Sequence, residues 1–131
     1  MKNLKTLFFF ARLPIAVSLA FHGLVRLPKL QEFSGWMMKT MEKSMIPEII
    51  TLPFSYALPF FEAIIGILLL IGYRSQEVIF AAITLMSILI VGSCSIENWD
   101  TVSSQILHCL YLFALLIFIN QVKPLVKISD I

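Results

Sequence analysis

Four long apolar segments alternate with shorter polar connections along this chain. The segments are predicted to span a membrane at residues 6–27, 49–72, 77–96 and 102–120. Each is long enough, because a helix needs about 20 apolar residues to cross the ~30 Å hydrocarbon core. The last two connections, GYRSQ and ENWD, are short, so neighbouring helices are expected to run in opposite directions. We therefore predict an all-α fold, an integral-membrane antiparallel four-helix bundle in which residues 1–131 form a single transmembrane domain.

The connection between the first two spans has a helical pattern of its own. Its apolar residues recur every four positions, at Phe33, Met37, Met41 and Met45. The charged residues of the connection fall on the other side of that helix. Such a stripe is typical of a short amphipathic helix that lies in the membrane interface.

Composition supports a membrane protein. Hydrophobic residues make up 59% of the 131 residues and charged residues only 14%, which is too little polar surface for a soluble domain of this size. The net charge of +2 is spread along the chain and argues against nucleic-acid binding. The N-terminal segment resembles a signal peptide, but Arg12 and Pro14 interrupt its apolar run. We therefore predict a first span that is retained, and the lipid bilayer is the first expected partner.

Basic residues predict the orientation of the spans, since they are enriched on the cytoplasmic side. With the N-terminus inside, five basic residues lie in cytoplasmic segments: Lys2, Lys5, Arg74, Lys123 and Lys127. Four lie outside: Arg26, Lys29, Lys39 and Lys43. We predict a multi-pass protein of the bacterial cytoplasmic (inner) membrane with both termini in the cytoplasm.

Glu62 lies near the middle of the second predicted span. An acidic residue at this depth costs about 3 kcal/mol on insertion scales, and it persists only where it faces protein, water or a partner. Glu62 shares one helix face with Ser55, Pro59 and Gly66. Two interpretations stay open. Glu62 is a candidate catalytic residue, or it is a structural carboxylate that is protonated or forms an ion pair, for which Arg12 is the candidate partner.

Polar side chains on the other spans fall mainly in the outer half of the membrane, above Glu62. The predicted ligand-binding residues are His22, Arg26, Tyr56, Glu62, Gln105 and His108. The third span is expected to contribute a polar stripe to the same interior: Thr84, Ser87, Cys94 and Ser95. Together they predict a polar cavity open toward the outside, with the amphipathic connection as its lid. Simpler roles stay open for the histidines as interhelical hydrogen-bonding residues, for Arg26 at lipid phosphate and for Tyr56 in the aromatic belt.

The chain contains no complete catalytic motif. The two cysteines, Cys94 and Cys109, do not form a CxxC pair, and we predict free thiols because a hairpin of the last two spans would hold them more than ~7 Å apart. No spacing typical of a metal site occurs, so no metal is predicted. A substrate would therefore be a lipid, a quinone, a small ion or a partner protein.

The first two spans carry a combination that resembles the DoxX family of small four-helix bacterial membrane proteins. The first match is Arg12-Leu13 followed by His22-Gly23-Leu24-Val25-Arg26-Leu27. The second is Pro59, Glu62, Gly66 and Gly72, followed by Arg74. The resemblance covers most of residues 10–118. It implies a membrane subunit linked to redox chemistry, since some relatives look like a subunit of a thiosulfate:quinone oxidoreductase, with a quinone as the expected ligand.

Two hypotheses follow. In the first, the chain is a redox-linked membrane subunit that binds a quinone or another lipid-soluble ligand and works with a membrane or redox protein partner. In the second, it is a non-enzymatic assembly or accessory protein of a larger membrane complex. Enzymatic activity and a homo-oligomeric state are both left open, as is permeation of protons or small solutes.

Overall fold

Five α-helices make up most of the described chain. The computed structural model describes residues 2–122, with side chains from Asn3 to Gln121. The helices are α1 (Lys2–Arg26), α2 (Leu30–Thr40), α3 (Glu48–Ile71), α4 (Ser75–Ser95) and α5 (Trp99–Val122). Lys123 and Lys127, which were counted above as cytoplasmic, lie outside the described residues.

Four helical stretches, which contain α1, α3, α4 and α5, are long and apolar enough to cross a membrane. The prediction of an all-helical fold is therefore confirmed for the described part of the chain, as is the prediction of four helices long and apolar enough to span a membrane. The predicted spans 49–72 and 77–96 lie within two residues of α3 and α4 at both ends. Single 3-10 turns, Leu27–Lys29 and Met41–Lys43, flank α2.

The ends of α3 follow from local sequence. Pro47 precedes the helix in an extended conformation (φ −61°, ψ 143°), and proline suits this position because it has no backbone N–H to leave unsatisfied. Gly72 ends the helix with a φ of +80°, a left-handed conformation that costs glycine little. The Gly72 N–H donates to the Leu68 carbonyl at 3.0 Å. After three residues α4 begins and packs back against α3.

Small residues bring α1 and α3 into close contact. A Cβ at Gly23 would overlap the backbone of Pro59 and Ala63, and a Cβ at Gly66 would overlap the backbone of Ala20. Membrane helices use such residues where their backbones approach closely. The contacts also fix the register, because later residues of α1 meet earlier residues of α3.

The contacts of α1 with α5 follow the same reversed order. The Phe8 ring stacks on Phe118 with centroids 5.9 Å apart. Further along α1, the His22 ring meets the His108 ring edge to face, with centroids 6.3 Å apart. The end of the bundle where α1 ends and α3 begins is called the α2 end below.

Two hydroxyl pairs attach the connection between α1 and α3 to the rest of the bundle. Ser34 of α2 and Ser55 of α3 are buried with their Oγ atoms 2.7 Å apart. After α2, Ser44 and Ser95 make the same contact at 2.7 Å. These hydrogen bonds hold both ends of the connection against the bundle.

Two expectations about helix faces are corrected. Thr84 and Ser87, predicted to line the interior, are exposed, and each hydroxyl donates to a carbonyl of its own helix, at Phe80 and Ile83. A hydroxyl that is satisfied this way can face lipid. Met45, the last residue of the four-residue repeat, is also exposed, because α2 ends at Thr40 and the repeat no longer describes a helix face.

Candidate functional site

The buried Glu62 forms an ion pair with the half-buried Arg26. Its Oε2 lies 2.8 Å from Arg26 Nη1, and the two side chains are 4% and 30% exposed respectively. The Arg26 guanidinium also lies over the Phe33 ring of α2, with its central carbon 4.5 Å from the ring centroid. Arginine suits this position because its flat, weakly hydrated cation can bind a carboxylate and an aromatic face together.

The expected pairing of Arg12 with Glu62 is not formed. Arg12 lies instead against Gly72, at the other end of α3, ten residues or about 15 Å of helix rise from Glu62. Its guanidinium carbon is 5.1 Å and 5.4 Å from the ring centroids of Phe8 and Phe9. The physical reason is the register of α1 against α3. Because Gly23 packs against Ala63, the last turn of α1 lies level with Glu62, and that turn carries Arg26.

A partly open cavity of about 350 Å³ lies at the α2 end. It brings together five of the six predicted ligand-binding residues: His22, Arg26, Glu62, Gln105 and His108. The surrounding helices supply an apolar lining, which includes Leu19, Phe54, Leu58, Met86 and Leu89. The cavity therefore has a polar cluster set in an apolar wall, the usual composition of a small-molecule site.

One wall of this cavity comes from the connection between α1 and α3. We call its apolar side chains the α2 wall, and they are Phe33, Trp36, Met37, Met41 and Ile46. The sequence pattern pointed to Phe33, Met37 and Met41 by their spacing. It did not point to Trp36 or to Met86 of α4.

Both histidines of the cavity are oriented by their own helices. His22 Nδ1 lies 2.6 Å from the Ser18 carbonyl oxygen, and His108 Nδ1 lies 2.8 Å from the Ser104 carbonyl oxygen. A carbonyl oxygen only accepts hydrogen bonds, so in each ring Nδ1 carries a proton and donates. Nε2 is then the ring nitrogen left for the cavity.

Gln105 of α5 also lines the cavity and has an unusual environment. Its Oε1 atom is buried and has no hydrogen-bond partner among the described residues. A buried acceptor without a donor is unfavourable by roughly 1–3 kcal/mol. The amide is therefore well suited to a group that enters the cavity and donates a hydrogen bond.

Tyr56 is the predicted ligand-binding residue that the structure leaves out of the cavity. Its side chain is 40% exposed, and it does not line the cavity. The preceding residue, Ser55, is buried against α2. Successive helix residues are about 100° apart, so burial of Ser55 turns Tyr56 away from the interior.

Cys94 and Cys109 are free thiols, both half-buried, as predicted. Within the side chains that the structure describes, no group of three or more His, Cys, Asp or Glu residues is arranged to hold a metal ion.

Comparisons of the chain with family models, with curated proteins and with solved structures gave no match. The resemblance to the DoxX family therefore stays a prediction. Over the residues that the structure describes, the fold and the site define a class of protein: all-helical, with four candidate membrane spans and a polar cavity at one end of the helical bundle.

Proposed function

We propose that this protein is a DoxX-like, redox-linked membrane subunit that binds a quinone or another lipid-soluble ligand in the cavity at the α2 end. The observation that carries the proposal is the cavity itself, in which five polar side chains converge within an apolar lining. A volume of about 350 Å³ is within the range of small-molecule sites. A quinone ring with its two oxygen atoms matches that combination of polar and apolar surface.

The proposal includes an arrangement in the membrane. The helices would form an antiparallel transmembrane bundle, with α2 in the outer interface and both termini in the cytoplasm of a bacterial cell. The reversed order of contacts along α1 and its two partner helices supports the antiparallel bundle. Trp36 and Trp99, each 59% exposed, both lie at the α2 end, where interfacial aromatic residues would be expected.

Each polar residue then has a distinct role. The Gln105 amide nitrogen would donate to a ligand oxygen, and His22 and His108 would accept at Nε2 from a ligand hydroxyl. Glu62 would be the group that exchanges a proton, since only its Oε2 has a hydrogen bond among the described residues. The electrons would come from a membrane or redox protein partner.

The two tryptophans provide a direct test. Trp36 lines the cavity and Trp99 does not, so the variants Trp99→Phe and Trp36→Phe each leave one tryptophan as a reporter. Decylubiquinone titrated into nanodiscs should quench Trp36 in a saturable manner and quench Trp99 only in proportion to its concentration in the lipid. Equal, non-saturable quenching of both would contradict the proposal. Quinone in lipid extracts of the purified protein would support it independently.

The second candidate function is a non-enzymatic assembly or accessory role in a larger membrane complex. The observation that favours it is the Arg26–Glu62 pair, because a carboxylate held by an arginine needs no substrate to explain it. Pull-down in mild detergent tests this role. We expect a stable membrane partner or a homo-oligomer, and a chain that always migrates alone would exclude it.

A further inference from the structure

The exposed edge of the cavity changes in character from one side of the bundle to the other. Among the described residues, six side chains line the cavity and are also exposed: His22, Trp36, Ile50, Ile88, Asn98 and Ser104. Three of them are polar and lie on α1, on α5 or in the turn before α5, and the tryptophan lies on α2. The other two are aliphatic, Ile50 of α3 and Ile88 of α4, and they are 59% and 49% exposed. The edge is therefore polar toward α1 and α5 and apolar toward α3 and α4.

These two sides lie across the bundle from each other. Helix α1 packs against α3 and α5, and α4 packs against the same two helices. The seam between α1 and α5 is therefore opposite the seam between α3 and α4. Because the lining of the cavity reaches both seams, a ligand with a polar head and an apolar chain meets a matching environment on each side.

The seam between α3 and α4 is closed at the α2 end. Ser44, shortly before α3, and Ser95, the last residue of α4, have their Oγ atoms 2.7 Å apart. Ile88 lies seven residues before Ser95 on α4, or about 10 Å of helix rise further from that end. We call the gap bordered by Ile50, Ile88 and Gly92 the α3–α4 opening. With α2 in the interface, it would face the hydrocarbon of the bilayer below the closed end of the seam.

A flexible side chain lies at the edge of this opening. Ile88 and Gly92 are four residues apart and share a face of α4. A Cβ at Gly92 would lie 3.7 Å from the methyl carbon of Met41, which belongs to the connection that leads into α3. This face of α4 therefore turns toward the connection. An unbranched thioether changes its rotamer readily, so Met41 can move aside for a ligand while the backbone stays in place.

We propose that the alkyl chain of the ligand leaves the cavity through the α3–α4 opening, and that a lipid-soluble ligand passes between the bilayer and the polar cluster by this route. This inference rests on the proposed function, because it assigns the path of the same ligand. Apolar chains are stabilised where they are removed from water. The isoleucines of the opening and the adjoining lipid provide such surroundings, whereas the polar edge at His22 and Ser104 favours water.

Photolabelling of the wild-type protein tests the route. A decylubiquinone analogue that carries a diazirine on the third carbon of its alkyl chain is irradiated with the protein in nanodiscs, with and without excess decylubiquinone. Labelled residues are located by mass spectrometry of peptides. We expect labelling that the competitor suppresses at the α3–α4 opening, at Ile50 and Ile88 and their neighbours. Suppressible labelling centred on α1 and α5, or spread evenly over the helices, overturns this inference alone. Suppressible labelling nowhere overturns the proposed function and the inference with it.

A variant that narrows the opening provides a second measurement. Ile88→Trp should weaken binding of decylubiquinone about fourfold or more, the factor that corresponds to one buried methylene group. Binding of 2,3-dimethoxy-5-methyl-1,4-benzoquinone, which has the same ring and no chain, should change less than twofold. Val91→Trp is the matched control, because Val91 is exposed on the same helix and does not line the cavity. It should bind both ligands as the wild type does.

Bound ligand is measured by extraction and chromatography, with empty nanodiscs subtracted. An equal loss of both ligands in Ile88→Trp, or no loss of either, contradicts a route through the α3–α4 opening. The photolabelling uses the wild-type protein, so a variant that fails to fold leaves that test intact.

Discussion

The two ends of the α1–α3 pair each hold an arginine, and they stabilise it in different ways. At the α2 end Arg26 meets the carboxylate of Glu62 and the ring of Phe33. At the opposite end Arg12 meets no carboxylate among the described residues. It lies against Gly72 at the carboxyl terminus of α3, beside two phenylalanine rings.

Arg12 belongs to a packing arrangement, whereas Arg26 belongs to the candidate site. The terminal carbonyl groups of a helix carry a partial negative charge, and aromatic faces attract cations, so Arg12 is stabilised without a partner that could exchange protons. Arg26 is stabilised by a group that can. An arginine in a membrane helix is therefore evidence of a site only when its counter-ion also faces a cavity.

The largest expected effect tests the ion pair. Arg26→Leu leaves the Glu62 carboxylate buried without a cation, and we expect the free energy of unfolding to fall by about 3 kcal/mol or more. Glu62→Leu should cost less, because the 30% exposed Arg26 side chain can turn toward water or lipid phosphate. The double variant Arg26→Leu/Glu62→Leu should recover most of the loss. Unfolding in mixed micelles with increasing SDS measures all three.

The exposed pair Arg74–Glu77 supplies the control for that series. Its atoms are 3.3 Å apart and both side chains are more than half exposed, so Arg74→Gln should change stability by less than about 1 kcal/mol. A double variant no more stable than Arg26→Leu alone would show that the Arg26–Glu62 pair is not the source of the effect.

The next effect tests whether register places Arg26 at Glu62. Gly23→Ala puts a methyl group into the backbone of α3, which cannot yield as a side chain would, and we expect a loss of about 2–3 kcal/mol together with weaker quinone binding. Gly72→Ala should cost about 1 kcal/mol for its left-handed conformation and leave binding unchanged. Chemical unfolding and Trp36 quenching measure the two properties. Equal loss of binding in both variants would contradict a local role for Gly23.

A smaller effect is expected at the opposite end. Arg12→Met keeps much of the side-chain volume but removes the cation from the two rings and the helix terminus, which should cost about 1 kcal/mol. Ligand binding should not change, because Arg12 is not part of the cavity. Thermal unfolding followed by circular dichroism gives the first value and tryptophan quenching the second. A loss of binding in Arg12→Met would indicate that the two ends of the helix pair are coupled.

The smallest effect concerns the attachment of α2. Ser34→Ala removes one buried hydrogen bond, but Ser55 keeps its second contact, to the Leu52 carbonyl at 2.6 Å. We expect a loss of about 0.5–1 kcal/mol and faster amide hydrogen exchange in α2. Ser103→Ala, which removes an exposed hydroxyl bonded within α5, should leave exchange in α2 unchanged. Unaltered exchange in Ser34→Ala would exclude the hydroxyl pair as an attachment.

Much of this architecture could be predicted from the sequence. Segment length predicted the four helices that are long and apolar enough to span a membrane, because the thickness of a bilayer sets how many apolar residues a helix needs. Spacing fixed the buried face of α3, on which Ser55, Pro59, Glu62 and Gly66 lie. Approximate depth then grouped five of the six ligand-binding candidates that now line one cavity.

The arginine that pairs with Glu62 could not be predicted in the same way. Arg12 and Arg26 lie on nearly the same face of α1, about 40° apart at ~100° per residue, so periodicity does not distinguish them. The register of α1 along α3 decides which arginine reaches Glu62, and this register depends on backbone contacts at Gly23 and Gly66. Thr84 and Ser87 show a second limit of prediction from sequence. A hydroxyl that donates to a carbonyl of its own helix does not indicate whether its helix face points to the interior or to the outside.

The α2 wall has a consequence for how this architecture can diversify. All five of its residues come from one continuous stretch that begins after Pro28 and ends before Pro47, whereas the polar cluster comes from the long helices. Substitutions at Trp36, Met41 and Ile46 would reshape the entrance and the ligand fit and leave the contacts of α1 with α3 at Gly23 and Gly66 in place. A single exchangeable segment could thus adapt one membrane scaffold to ligands of different shape.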